Sequence, residues 1–233
     1  MKYEATTNGI SIEFNTDSID NLFARFRLNY EEFKNKLVEY KENNRTRFNY
    51  IPWDRICAIG YRLYDTVHYM NDKKYHVEKR GKAFDFYEFL NNAYIVIHCS
   101  ETLAEILNFN EELKEIKSVN SYFIPYFEDV IDKKKSCTTD YECFQYIRSL
   151  CAVHPEDITK GSNRKFMNQT DIHCCPFVLW DDDCKDELLI YVYDSKKEPE
   201  EPIYRISFYS FVTYVDLWLK IADTVMLKYK DDE

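Results

Sequence analysis

Apolar residues recur at helical spacing through most of the first two-thirds of the chain, then switch to a shorter period near its end. From Asp17-Ser18, an N-cap candidate, the residues Ile19, Leu22, Phe23, Phe26, Tyr30, Phe33, Leu37 and Tyr40 predict a helix that Asn43-Asn44 ends. A second helix opens at Pro52-Trp53, where proline suits the first turn, and carries Trp53, Ile56, Ile59, Leu63, Val67 and Met70. A third runs from about Phe84 to Leu107 on Phe86, Leu90, Tyr94, Ile97 and Leu103. A fourth is expected over Tyr122–Lys134 on Phe123, Tyr126 and Val130, with Pro125 in its first turn. The fifth starts at Thr138-Thr139-Asp140, a capping cluster with Glu142 three residues after Thr139. It carries Tyr141, Phe144, Ile147 and Cys151, and Pro155 stops it.

Beyond that point the runs are short, β-branched and aromatic. Pro176–Trp180, Glu187–Tyr193 and Ile203–Tyr209 predict three strands. The acidic segment Asp181–Asp186 is the expected first hairpin loop, and Asp194–Pro202 the second. A closing helix is expected over about Phe208–Tyr229, on Phe211, Tyr214, Trp218, Ile221, Val225 and Met226. Residues 1–16 alternate Ile10, Ile12 and Phe14 with polar neighbours, which suits a short strand or an extended arm. The expected fold is mostly α, a bundle of about six helices, with a small antiparallel β-sheet inserted before the C-terminal helix. With no repeat and no long linker, 1–233 is expected to be one domain: a helical bundle over 1–155, the sheet over 176–209 and the closing helix over 208–229. Segment 156–175 is the one long stretch without periodicity, a length at which loops are often functional.

Composition narrows the function classes. Only 4 of the 233 residues are glycine, and no G-x-G-x-x-G or G-x-x-x-x-G-K-[ST] can be written from them. A Rossmann or P-loop nucleotide site is therefore not expected. Net charge of −10 opposes a surface coated in nucleic acid, since phosphate contacts need a basic footprint. It leaves room for a local basic cleft. The N-terminus lacks the apolar core of a secretory signal, and no apolar run approaches the roughly 18 residues of a bilayer span. A cytoplasmic location without a membrane partner is expected, and the 8 cysteines are read as buried thiols rather than a disulfide framework. Most of the 39 aromatic side chains (20 Tyr, 16 Phe, 3 Trp) fall on the helical stripes and are expected in the core.

The sharpest local feature is Arg148-Ser149-Leu150-Cys151-Ala152-Val153-His154, followed by Pro155. On a straight helix Arg148 and His154 would stand roughly 120° apart. Pro155 disfavours the α region for the residue before it, so His154 leaves the helix and its ring can be re-aimed. Arginine can hold a phosphate bidentately, and histidine titrates near neutrality and moves protons. Those two groups suffice for metal-free RNA cleavage, one polarising the phosphate and the other transferring protons.

This spacing resembles the R-x(4–6)-H motif of the HEPN superfamily, helical nucleic-acid-associated proteins that include many ribonucleases of toxin–antitoxin, abortive-infection and CRISPR systems. The resemblance implies an all-α bundle with the motif on a late helix. It implies a homodimer in which the Arg148 and His154 pairs of two protomers share one cleft. Metal-independent endoribonuclease activity leaving a 2′,3′-cyclic phosphate, or the role of an RNA-binding effector, in a defence or toxin–antitoxin type system would follow, with no cofactor and with an antitoxin or other protein partner. Ser149 stands at the polar position after the arginine, where Asn, Asp or His is commoner. Arg148 would bind the phosphate, His154 would move the proton and Ser149 would orient either. Lys160, Arg164 and Lys165 follow on the aperiodic segment as candidate RNA contacts.

Other readings stand beside this one. Arg148 can be a surface cation and His154 a residue interacting with the helix dipole. The chain as a whole can be a non-catalytic helical protein-interaction module whose acidity suits a basic partner. His173-Cys174-Cys175 with Cys184 has ligand types that zinc accepts, but adjacent cysteines are poor co-ligands, so no metal site is expected. The aspartates at 181–183 lack an EF-hand pattern and suit a solvated loop. His68 and His76 are isolated, and His98, in Ile97-His98-Cys99, is read as a structural residue beside a core stripe.

Overall fold

The computed structural model describes residues 1–6, 9–28, 31–32, 34–36, 38–39, 53–76, 83–126, 137–149, 151, 174–180, 186–194 and 204–228. The chain begins with β1 (Lys2–Thr6) and β2 (Gly9–Glu13), followed by α1 (Asp17–Leu28). Residues 31–32, 34–36 and 38–39 are also helical. Then come α2 (Trp53–Asp72), β3 (Lys74–Tyr75), α3 (Ala83–Leu107), α4 (Asn110–Ser118) and a 3-10 turn at Ile124–Tyr126. After α5 (Asp140–Arg148), the strands β4 (Cys174–Trp180), β5 (Glu187–Asp194) and β6 (Tyr204–Ser207) lead into α6 (Phe208–Lys228). The fold is mostly helical, with a small antiparallel sheet immediately before the last helix, as the hydrophobic pattern predicts.

Two elements differ from expectation. The N-terminal segment is a hairpin rather than a single strand or arm, with Lys2 opposite Glu13 and Thr6 opposite Gly9. It gains a third strand from β3, through Ile10 opposite Tyr75. Gly9 has φ +131°, and a Cβ there would lie 2.5 Å from the Tyr75 carbonyl oxygen, so only glycine fits. The second difference concerns 110–126. A helix forms at Asn110–Ser118, burying Leu113 and Ile116. The helix expected to start at Tyr122 is reduced, among the described residues, to the turn at Ile124–Tyr126; 127–136 lie outside them.

The segment between α4 and α5 is held by Asp140. Its carboxylate is fully buried and accepts hydrogen bonds from the backbone N–H groups of Tyr122 (2.8 Å), Phe123 (2.7 Å) and Ile124 (3.1 Å). Its own N–H donates to the Val119 carbonyl at 2.8 Å. The three donors are thus satisfied by a side chain, and Pro125 has no N–H to give. Asp140 is also the first residue of α5. Thr139 caps that helix by accepting from the Glu142 N–H at 3.3 Å, and Glu142 reaches back to the Thr138 N–H at 2.8 Å.

The tied loop carries Phe123 into the core. Its ring meets Phe211 at 4.8 Å and Tyr214 at 5.1 Å between centroids, both on α6. One turn earlier, Phe208 meets Phe89 at 4.6 Å and Tyr75 at 5.7 Å. The Phe208 N–H donates to the Asp186 carbonyl at 2.8 Å, which ends β6 at Ser207 rather than at 209. Phe86, Phe89, Leu90, Ala93, Val96 and Ile97 form the inner face of α3. At about 100° per residue, Phe84, Tyr87, Asn91, Tyr94, His98 and Glu101 fall on an adjoining flank, about 120° round the helix, a stripe about 25 Å long. No helix among the described residues is long and apolar enough to cross a membrane. Cys57, Cys99, Cys137, Cys143 and Cys151 are free thiols, all but Cys57 buried.

Two outcomes follow for stability. Asp140→Ala strands three backbone donors and is expected to cost about 3 kcal/mol or more in urea unfolding, against about 1 kcal/mol for Thr139→Ala. Burial holds the hydroxyls of Tyr75, Tyr146, Tyr204 and Tyr214 well above their ordinary value of 10.0. The unfolded chain therefore releases those protons first, and stability is full below about pH 10 and falls as pH rises beyond it. The part of the phenolate absorbance that belongs to these four buried tyrosines is expected to rise together with loss of helical circular dichroism, after the exposed tyrosines have ionised.

Candidate functional site

The last turn of α5 carries Arg148, and the chain continues in π-helical geometry at Ser149 and Cys151. Such wide turns change the direction of side chains at a helix end. Arg148 is half-buried, and its guanidinium carbon lies 3.5 Å from the centroid of the Tyr94 ring on α3. That distance is a flat stack, which fixes the plane of the guanidinium and leaves its edge available for hydrogen bonding. The Nε atom is buried and has no hydrogen-bond partner among the described residues. A buried donor on a permanent cation without a partner is costly, and an anion would satisfy it.

Tyr94 also stacks on His98, four residues on. The two rings are parallel within 1°, with centroids 5.6 Å apart. The His98 side chain is 58% exposed, and its Nδ1 lies 3.8 Å from an oxygen of Glu101. The expected structural role for His98 is thus replaced by a solvent-facing one, because its helical phase turns it away from the Ile97 side. On the other flank of this ridge, the Arg62 charge from α2 acts on Cys99. Burial pushes the Cys99 thiol up to about 11, and the Arg62 guanidinium pulls it the other way.

Glu101 is the fixed point of the polar network. It accepts from the Tyr141 hydroxyl at 3.1 and 3.2 Å and pairs with Lys117. The Lys117 ammonium sits 4.9 Å over the Tyr141 ring. Burial first, and then the Glu101 charge, hold the Tyr141 hydroxyl well above its usual range. This network joins α3, α4 and α5 beside the Arg148, Tyr94 and His98 stack.

Of the residues expected to form the site, Arg148 is placed on Tyr94 and Ser149 is half-buried as the C-cap of α5. His154, Lys160, Arg164 and Lys165 lie outside the described residues. So do His173 and Cys184, while Cys174 and Cys175 stand in β4 opposite Asp194 and Tyr193. Among the described residues, no group of three or more His, Cys, Asp or Glu is placed to hold a metal ion. Two residues that sequence reasoning did not assign to a site, Tyr94 and His98, belong to it here. Their i, i+4 spacing was the available signal.

No family model matches the chain, and no curated protein or solved structure matches it at a significant level.

The stack makes a measurable prediction. In a double-mutant cycle of Tyr94→Leu and Arg148→Met, thermal unfolding is expected to give a coupling energy of about 1 kcal/mol. Strict additivity would mean that ring and guanidinium do not interact.

Proposed function

We propose that this protein is a HEPN-like, metal-independent endoribonuclease that acts in the cytoplasm as a homodimer, as a defence or toxin–antitoxin effector held in check by a protein partner. The observation that carries the reading is the Arg148 guanidinium, flat on Tyr94 with a buried Nε that lacks a partner among the described residues. A guanidinium held flat with a donor to spare is suited to a phosphodiester.

In this reading Arg148 holds and polarises the scissile phosphate. His154 takes the proton from the 2′-hydroxyl or gives one to the leaving oxygen, and Ser149 orients the pair. His98 adds a second imidazole on the same aromatic ridge and contacts the RNA beside the reacting group. Tyr94 is a positioning residue, since it acts by fixing the guanidinium plane. Lys160, Arg164 and Lys165 contact neighbouring phosphates.

The test is cleavage of a mixed-sequence RNA in EDTA by the wild type and by single variants. Arg148→Ala and His154→Ala are each expected to slow cleavage by about 100-fold or more, the usual span for a lost acid–base or phosphate-holding group. Products should end in a 2′,3′-cyclic phosphate. No cleavage by the wild type, or cleavage that survives both substitutions, overturns the proposal. In that event the net acidity and the exposed Tyr61, Tyr69 and Phe84 favour the non-catalytic interaction module.

A further inference from the structure

The outer stripe of α3 has a second feature at its other end. Tyr69 from α2 and Phe84, Tyr87, Glu88, Asn91 and Asn92 from α3 line an open cleft of about 610 Å³. The Phe84 ring is 76% exposed and Tyr69 47% exposed, so apolar ring surface faces solvent here. Phe84 and Tyr87 stand at 79° to each other with centroids 6.1 Å apart, forming two adjoining walls. The Tyr69 hydroxyl donates to Glu88, which fixes a third ring beside the carboxylate.

Behind the rings lies a fixed ion cluster. Lys73 pairs with Glu88 and stands 3.5 Å from Asp85. Asp85 accepts from the His76 N–H at 2.8 Å and lies 3.3 Å from the His76 ring. Burial disfavours both charged carboxylates. The His76 bonds and Lys73 nonetheless hold Asp85 below its ordinary value, and the Lys73 and Tyr69 hydrogen bonds do the same for Glu88. Both are ionised at neutral pH. Among the described residues, Lys73 and the His76 ring stand against these two carboxylates.

We propose that this cleft binds a methylated ammonium group. Ring faces carry negative quadrupole density, and a diffuse, weakly hydrated cation gains from them at low desolvation cost. The Glu88 carboxylate in the cleft lining favours the same ligand, and it opposes a nucleotide, whose phosphate would be brought against it. The two amides at the rim suit the polar remainder of such a molecule. This assignment is independent of the ribonuclease reading.

The full chain would be titrated calorimetrically with choline and with trimethyl-lysine. Two controls run beside them: the neutral isostere of choline, with tert-butyl in place of trimethylammonium, and uridine monophosphate. At least one methylated ammonium is expected to bind, about 10-fold more tightly than the neutral isostere. Choline alone would point to a free or lipid headgroup, and trimethyl-lysine alone to a modified polypeptide. Phe84→Ala, which removes an exposed ring, should weaken binding about 5-fold or more without moving the melting temperature. Equal affinity for the isostere, no effect of Phe84→Ala, binding of uridine monophosphate alone, or no binding at all overturns the proposal.

Discussion

The buried carboxylate of Asp140 is the constraint on which the rest of the structure depends. It gathers three consecutive backbone donors, at Tyr122, Phe123 and Ile124, and so closes the connection between α4 and α5. Charge-assisted bonds of this kind are worth about 1.5–3 kcal/mol each, more than any one aromatic pair in the core. Because Asp140 also begins α5, the same interaction sets where that helix starts and therefore where its last turn lies. Phe123 is delivered to Phe211 and Tyr214 on one side, and Arg148 to Tyr94 on the other. Core and candidate site are thus aligned by one side chain.

The aromatic abundance divides along the same line. Tyr75, Phe86, Phe89, Phe123, Phe144, Phe208, Phe211 and Tyr214 are buried around α6 and the inner face of α3. Tyr69, Phe84, Tyr87 and Tyr94 lie instead along the outer side of the α2 and α3 pair, with Arg148, His98 and Glu88 among them. Packing needs the first group. The second is only partly covered, and its rings are paired with polar and charged groups, the arrangement of a binding face rather than of a core. One end of this face offers a guanidinium whose Nε has no partner among the described residues, and the other the Glu88 carboxylate, so the two ends suit ligands of opposite charge.

Much of this architecture is legible in the chain because it is local. Trp53, Ile56, Ile59, Leu63, Val67 and Met70 mark α2 by spacing alone, and all are buried. Thr139 and Glu142 announce the start of α5 through a capping geometry that needs no distant partner. The parts that are not legible depend on contacts remote in sequence. β3 has two residues and exists only because Ile10 and Ser11 pair with Tyr75 and Lys74. The backbone at Tyr122–Ile124 is bound by Asp140, 16 to 18 residues further on, a contact that local spacing does not announce. Spacing places Tyr94 with Phe86, Leu90 and Ile97, yet it sits at the edge of that stripe, where Arg148 from another helix covers it. His98 adjoins the core in sequence but not in space.

The central claim is that Arg148, held on Tyr94, receives an RNA phosphate beside His98. The most direct measurement follows the Arg148 Nε–H and the His98 imidazole by nuclear magnetic resonance as a short single-stranded RNA is added. Both signals are predicted to move in saturable fashion with one dissociation constant, the Arg148 Nε–H shifting as its missing acceptor arrives. Binding of the RNA that leaves both signals unmoved, with changes confined to other faces of the protein, would contradict it.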